Sequence, residues 1–284
     1  MVGVTVPESS TEIDRRADGP PAGPPIRFHD VGINFSKRQT GDWVLRHLDL
    51  EIRDRELFVL VGPSGCGKST LLRLLAGIAT PTEGHTETGA GVVSGPGPDR
   101  AMVFQNVDLP LMEWLTVRDN VGYGLRRQHV PRRERARIVD DHLRKVGLTR
   151  AADKYPHELS GGMKQRVQIA RVLAANPSVL LMDEPFAALD AQTRRLLQSE
   201  VVRLWRDDPR TVIYVTHDIR EAILLGTRVA VMSAPPESGI KSMYDVRLAY
   251  PRDEFAPEFV ALASRIEADI EEEVSKVWSD DGRG

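Results

Sequence analysis

Cysteine is nearly missing: the 284 residues contain one, Cys66. A single thiol cannot close an intramolecular disulfide or supply a cysteine-cluster metal site. No apolar run approaches the roughly 18 residues that a membrane-spanning helix needs. The longest, around Leu57–Val61 and Val179–Met182, have the length of buried strands. An excess of basic charge is missing too. Thirty-eight Lys and Arg stand against 41 Asp and Glu, a formal net charge of −3, which argues against a globally basic nucleic-acid binder. The opening MVGVTVPESSTEIDRRADG places no apolar core behind a basic start and so lacks a secretory leader's pattern. The expectation is a soluble, cytosolic chain of one large domain or two small ones.

Residues 1–25 are rich in Pro, Gly, Ser and charge and read as a disordered tail. Strands are expected over Ile26–Phe35 and Trp43–Ile52, with a polar turn between them, and over Leu57–Val61, Ala101–Phe104, Val179–Met182, Thr211–Val215 and Arg228–Met232. Helices are expected over Ser69–Ile78, Thr116–Arg127, Pro131–Val146, from a Ser160 cap to Ala175, over Asp190–Trp205, and briefly from Asp218. Pro257–Trp278 is amphipathic, with Phe259, Leu262, Ile266, Ile270 and Val274 on one face. Alternating strands and helices predict an α/β fold with a mostly parallel sheet covered on both faces, interrupted by a helix-only insert. No repeat of 20–50 residues is present.

Gly62, Pro63, Ser64, Gly65, Cys66, Gly67, Lys68, Ser69 and Thr70 fit G-x-x-x-x-G-K-[ST], directly after a buried strand and at the start of a helix. The glycines let backbone N–H groups converge into an anion nest at a helix N-terminus. Lys68 can neutralise the β- and γ-phosphates of ATP, and Ser69 can offer its hydroxyl to Mg²⁺. Because a helix N-terminus can lower a thiol's pKa, alkylation of Cys66 is expected to block nucleotide binding sterically.

The apolar run Val179–Met182 ends in Asp183 and Glu184. Strand alternation turns the two carboxylates different ways, so Asp183 can hold Mg²⁺ while Glu184 faces an attacking water. His217 follows another strand, at the edge where such sheets bind ligands, and can contact the γ-phosphate. The other six histidines (29, 47, 85, 129, 142 and 157) read as structural. A second anion site precedes the acidic strand: Leu159, Ser160, Gly161, Gly162, Met163, Lys164, Gln165, Arg166, with a serine cap and two glycines. One nucleotide does not need two such sites in one subunit. The second is explained if it serves a nucleotide on another copy, in a two-fold head-to-tail dimer.

These motifs strongly resemble those of the ATP-binding subunits of ABC transporters, over about residues 26–235. The stretch LSGGMKQR matches that family's signature, in which Leu159, Ser160, Gly161, Gly162 and Gln165 would act in trans. The resemblance implies a P-loop NTPase core with an N-terminal antiparallel β subdomain, a helical subdomain at about 106–175, and a C-terminal extension over 236–284. It makes Gln105 the Q-loop glutamine, at Mg²⁺ or water, Asp190 the D-loop aspartate, Glu184 the catalytic base and His217 the switch histidine. Phe35 is the best match for the adenine-stacking aromatic, with Trp43 its competitor. Ala188 stands where many members have serine.

The stretch Leu109–Val121 after the Q-loop resembles importers for nitrate, sulfonates, taurine or bicarbonate, as does Tyr250-Pro251-Arg252-Asp253. That resemblance implies a peripheral subunit on the cytoplasmic side of the inner membrane. Its partners would be a second nucleotide-binding subunit, a permease and, indirectly, an extracytoplasmic binding protein, with no nucleic acid. The alternatives are an importer ATPase for an unrelated solute, or a non-transport ABC ATPase acting on DNA or ribosomes. A plain P-loop kinase would lack the signature. Trp114 either lines the permease-docking groove or packs the insert's core. The arginines at 126, 127, 132, 133, 135 and 137, with Glu134, Asp140 and Asp141 interleaved, read as a solvated face. Ser160→Arg should abolish hydrolysis while leaving nucleotide binding to the isolated subunit intact; lost binding in a titration with a fluorescent ATP analogue would contradict a trans-acting signature.

Overall fold

The computed structural model describes residues 23–35, 43–105 and 111–281. In chain order the elements are strands β1 (Ile26–Ile33), β2 (Leu45–Ile52) and β3 (Leu57–Val61), helix α1 (Lys68–Leu75), strands β4 (Glu83–Thr88), β5 (Gly91–Val92) and β6 (Arg100–Val103), helices α2 (Val117–Val121), α3 (Tyr123–Arg127), α4 (Arg132–Lys145) and α5 (Gly161–Ala174), strand β7 (Val179–Asp183), helix α6 (Ala191–Asp207), strand β8 (Thr211–Val215), helix α7 (Ile219–Leu225), strands β9 (Arg228–Met232) and β10 (Ile240–Asp245), and helix α8 (Pro257–Asp281).

Strands β3, β7, β8 and β9 are buried at all five positions, so their place is inside a sheet covered on both sides. They form a six-stranded sheet in the order β10-β9-β3-β8-β7-β6. Every pair in it is parallel except β10 with β9. A second, antiparallel sheet runs β2-β1-β4-β5. Its inner face (Ile26, Phe28, Leu48, Leu50, Ile52) packs with α1 and one face of the large sheet into one core. The opposite face of the large sheet builds the other core with the helical insert, α6, α7 and α8.

The expected strands and helices form with small shifts at their ends. The helix expected over Thr116–Arg127 is two, broken at Gly122, and Thr116 caps the first by accepting from the Asp119 N–H. Strands β4, β5 and β10 carry no apolar alternation of their own and were not expected. β4 reads EGHTET, and β10 is nowhere fully buried. Pairing with β1 and β9 imposes their extended form. Of the tail expected over 1–25, residues 1–22 lie outside the described residues, as do the turn at 36–42 and residues 106–110. The Gly23 N–H is tied to Asp54 Oδ2 at 2.6 Å. Trp114 is 76% exposed, which removes insert-core packing as its role. Arg132, Arg133 and Arg137 are exposed on α4. No described helix is long and apolar enough to cross a membrane.

Helix α8 buries Phe259 and Ile266 and half-buries Leu262 and Ile270, while Val274 stays exposed. The segment before it clamps α7. The Arg252 guanidinium donates to the backbone carbonyls of Leu248, Ile223, Gly226 and Val246 and lies 4.0 Å over the Tyr250 ring, and the Tyr250 hydroxyl donates to the Leu225 carbonyl. The Ile223, Leu225 and Gly226 carbonyls are orphans at the C-terminal end of α7, where a cation is favoured. Arg252→Ala should lower unfolding free energy by about 2–3 kcal/mol, because charge-assisted bonds are lost and buried carbonyls go unpaired. Arg252→Lys should recover less than half of that in urea denaturation, since an ammonium cannot reproduce the planar fork.

Candidate active site

Parallel strands end at the same edge, and the strand order decides which loops are neighbours there. From β3 emerges the Gly62–Ser69 loop, from β8 Thr216 and His217, from β7 Glu184, and from β6 Gln105. Residues scattered over 155 positions are thereby set side by side.

In the loop, Gly67 has φ 88°, and a Cβ there would stand 2.7 Å from Leu45 Cδ2, so glycine is required twice over. A Cβ on Gly65 would meet nothing within 4 Å, which marks the open side of the nest. Lys68 Nζ folds back onto its own loop, donating to the carbonyls of Gly62 (2.8 Å) and Pro63 (2.7 Å). Cys66 is fully buried, and burial pushes its thiol pKa up against the pull of nearby Lys68. The expectation of a reactive thiol is therefore corrected: desolvation outweighs the helix end, and an alkylator has no ready access.

Ser69 Oγ donates to Asp183 Oδ1 at 2.9 Å. Burial pushes the Asp183 carboxyl above the usual carboxylate range; the Ser69 bond opposes this and the charge of Glu184 adds to it. This pair of hard oxygens suits Mg²⁺, and the buried carboxylate would gain the cation it lacks. Glu184 sits between two partners: Gln105 Nε2 donates to Oε2 at 3.2 Å, and His217 Nδ1 lies 3.1 Å from Oε1. With the proton assigned to Nδ1, His217 donates to Glu184 and keeps Nε2 for another contact. The Glu184 backbone is left-handed, φ 44°, a conformation costing about 1–3 kcal/mol for a non-glycine residue. Its N–H bonds the Val215 carbonyl at 3.1 Å, which helps hold it there.

Sequence reasoning missed Glu221, one helical turn past His217. It is buried and accepts from Gln198 Nε2 (2.7 Å), the Tyr214 hydroxyl (2.7 Å) and the Thr216 hydroxyl. It helps line a cavity of about 110 Å³ beside Glu184, His217 and Arg194. The only signal available was an acid directly before the apolar run Ala222–Leu225 of α7. A larger cavity of about 410 Å³, lined by Leu125, Leu180, Trp205 and Val212 among others, lies toward the opposite ends of the strands and contains none of the expected site residues.

The signature lies apart from this cluster, at the start of α5. Ser160 caps the helix by accepting from the Met163 N–H at 3.4 Å. Ser160 and Gly161 are exposed and Gly162 is half-buried, so a neighbouring molecule can reach them. Leu159 is 8% exposed, and Gln165 is fully buried with both amide atoms unpaired. Gln165 is thus removed from the set that another copy could touch, because its side chain is enclosed within its own subunit. A Cβ on Gly162 would come within 3.4 Å of the Ala188 carbonyl, so the signature packs on its own D-loop. Asp190 caps α6 through the N–H groups of Gln192 and Thr193, which lower its pKa. Phe35 is 64% exposed, whereas Trp43 is half-buried against Gly32 and under Arg46.

A phosphate loop, an acidic strand end and a signature-bearing helical insert define a P-loop nucleotide hydrolase of the cassette type. The sequence profile described as ABC transporter matches residues 45–187. An uncharacterized ABC transporter ATP-binding protein of Methanocaldococcus jannaschii is 46% identical over 82% of this chain and 86% of its own length. The nitrate import ATP-binding protein NrtD of Synechococcus elongatus is 41% identical over 80% and 83%. The bicarbonate transport ATP-binding protein CmpD of Synechocystis is 44% identical over 74% of each chain. A solved dimeric ATP-binding cassette in a post-hydrolysis state, bound to ADP and Pi, superposes with a TM-score of 0.71 at 29% identity, over 78% of this chain and 99% of that one. The chain belongs to the ABC transporter family and carries its ATP-hydrolysing cassette.

Asp183→Asn should stabilise the protein measured without nucleotide or metal. The carboxyl's folded pKa is raised, so its ionisation at pH 7 costs stability that the neutral amide does not lose. The thermal midpoint should rise by ~2–4 °C, equivalent to about 1 kcal/mol for a domain this large. The gain should shrink as pH falls toward the ordinary carboxylate value of 3.8.

Proposed function

We propose that this chain is the energy-coupling subunit of an importer for a small anion or a related organosulfur or nitrogen compound, such as nitrate, bicarbonate, a sulfonate or taurine. The observation that carries the ATPase half is Glu184 held between Gln105 and His217, beside the Ser69–Asp183 pair. The transport half rests on the relatives named for nitrate and bicarbonate uptake.

In this reading the loop N–H groups of Gly62–Thr70 bind the ATP phosphates. Lys68 leaves the two carbonyls it holds and turns to the β- and γ-phosphate oxygens. Phe35, exposed near the loop end of the β1–β2 pair, stacks on adenine. Ser69, Asp183 and Gln105 would hold Mg²⁺, which supplies charge neutralisation at the phosphates when bound. Glu184 orients a water and takes its proton as the oxygen attacks the γ-phosphorus and the bond to the β-phosphate oxygen breaks. Gln105 and His217 fix the Glu184 carboxylate, and His217 Nε2 faces the γ-phosphate. Ser160, Gly161 and Gly162 of a second copy complete the site across a two-fold dimer, with Asp190 at the same junction. The dimer docks peripherally on the cytoplasmic face of permease subunits, exposed Trp114 lining the docking groove, while an extracytoplasmic binding protein delivers the solute.

Glu184→Gln should retain ATP binding, lose hydrolysis by at least a hundredfold and accumulate an ATP-dependent dimer in size-exclusion chromatography. Wild-type turnover in that variant would remove Glu184 as the base. Uptake of labelled nitrate or bicarbonate by vesicles holding the chain with its permease tests the solute class.

A further inference from the structure

The outer face of the antiparallel sheet carries a cluster with no part in nucleotide chemistry. β1 and β4 pair so that His29 lies opposite His85 and Arg27 opposite Glu87. Alternation along each strand then puts Arg27, His29, His85 and Glu87 on one face, with Phe28 and Thr86 buried on the other. The two imidazoles stack with centroids 4.8 Å apart and planes at 26°. His29 Nε2 stands 3.6 Å from Glu87 Oε2. One donor atom from each of the three residues lies within 4.8 Å of the other two.

We infer that His29, His85 and Glu87 form a binding site for a divalent transition-metal ion of the zinc class. Two imidazoles and one carboxylate are the ligand set such ions favour, with the remaining position left to water, whereas Mg²⁺ prefers oxygen alone. Bonds of about 2.0–2.2 Å require donors roughly 3.4 Å apart in a tetrahedron. The 3.6 Å contact already meets that spacing, and side-chain rotation can close the rest while the ladder holds both backbones fixed. The competing cation is otherwise engaged: Arg27 Nε donates to Glu51 Oε2 at 2.9 Å. His85 is exposed and the other two are half-buried, so an ion can enter from solvent. His47 belongs to a separate pair, with Nδ1 2.7 Å from Asp30 Oδ1. A bound ion would staple β1 to β4.

The test is titration of the full chain with Zn²⁺ alone, without nucleotide, by calorimetry and by NMR of the histidine rings. A His217→Ala background removes the imidazole at the nucleotide site, leaving there only the oxygen ligands that zinc-class ions favour less. One equivalent should bind, moving the His29 and His85 ring signals together. His29→Ala and His85→Ala should each weaken binding at least tenfold, with unchanged circular dichroism and unchanged ATP-analogue binding. Equal Zn²⁺ affinity in both variants, ring signals that stay still up to millimolar Zn²⁺, or equal shifts on adding Mg²⁺ would each overturn the site.

Discussion

Everything at the candidate site's edge of the large sheet follows from the parallel alignment of β3, β8, β7 and β6. Because β3, β7 and β8 are buried at every position, neither face of these strands is free to shed a neighbour, and the strand order is fixed by packing. Parallel alignment then delivers four chain exits to one edge. The side chains proposed for catalysis bring no scaffold of their own. Gln105, Glu184 and His217 meet because β6, β7 and β8 are consecutive neighbours, and the phosphate loop adjoins them because β3 is next.

Electrostatics at that edge is arranged around a deficit. Asp183 and Glu184 place adjacent carboxylates near a desolvated strand end, and the Asp183 pKa rises accordingly. Donors partly offset it: Ser69 to Asp183, and Gln105 with His217 to Glu184. Among the described residues, no Lys or Arg side chain forms an ion pair with either carboxylate. The chemistry of these groups suits a divalent cation beside a nucleotide's phosphates, and the strain at Glu184 is of the kind found where function sets the geometry.

How much of this was legible depended on whether the chemistry lay in a contiguous string. The phosphate loop, the acidic pair, His217, Ser160 and Gln105 sit in or beside motifs, and four of the buried strands announce themselves as apolar runs. Strands β4 and β10 do not, because their conformation is dictated by partners rather than by their own residues. The role of Glu221, and that of Arg252 beyond its place in a motif, stayed hidden for a related reason: Gln198 lies 23 residues from Glu221, and the Ile223 and Gly226 carbonyls lie 29 and 26 from Arg252. Gln165 and Cys66 show the opposite failure. Both were read from a motif string, and burial, which no string displays, took them away from the surface.

Lys68 gives the phosphate loop an occupant of its own. By bonding the Gly62 and Pro63 carbonyls, its ammonium braces the loop from inside, in the curvature that phosphates require. Little backbone ordering is then left for binding to supply. The brace also acts as a filter. An anion can draw the ammonium away, because a charge-assisted bond to phosphate exceeds one to a neutral carbonyl. A neutral molecule of the same shape would lack the charge to draw Lys68 from its two carbonyls.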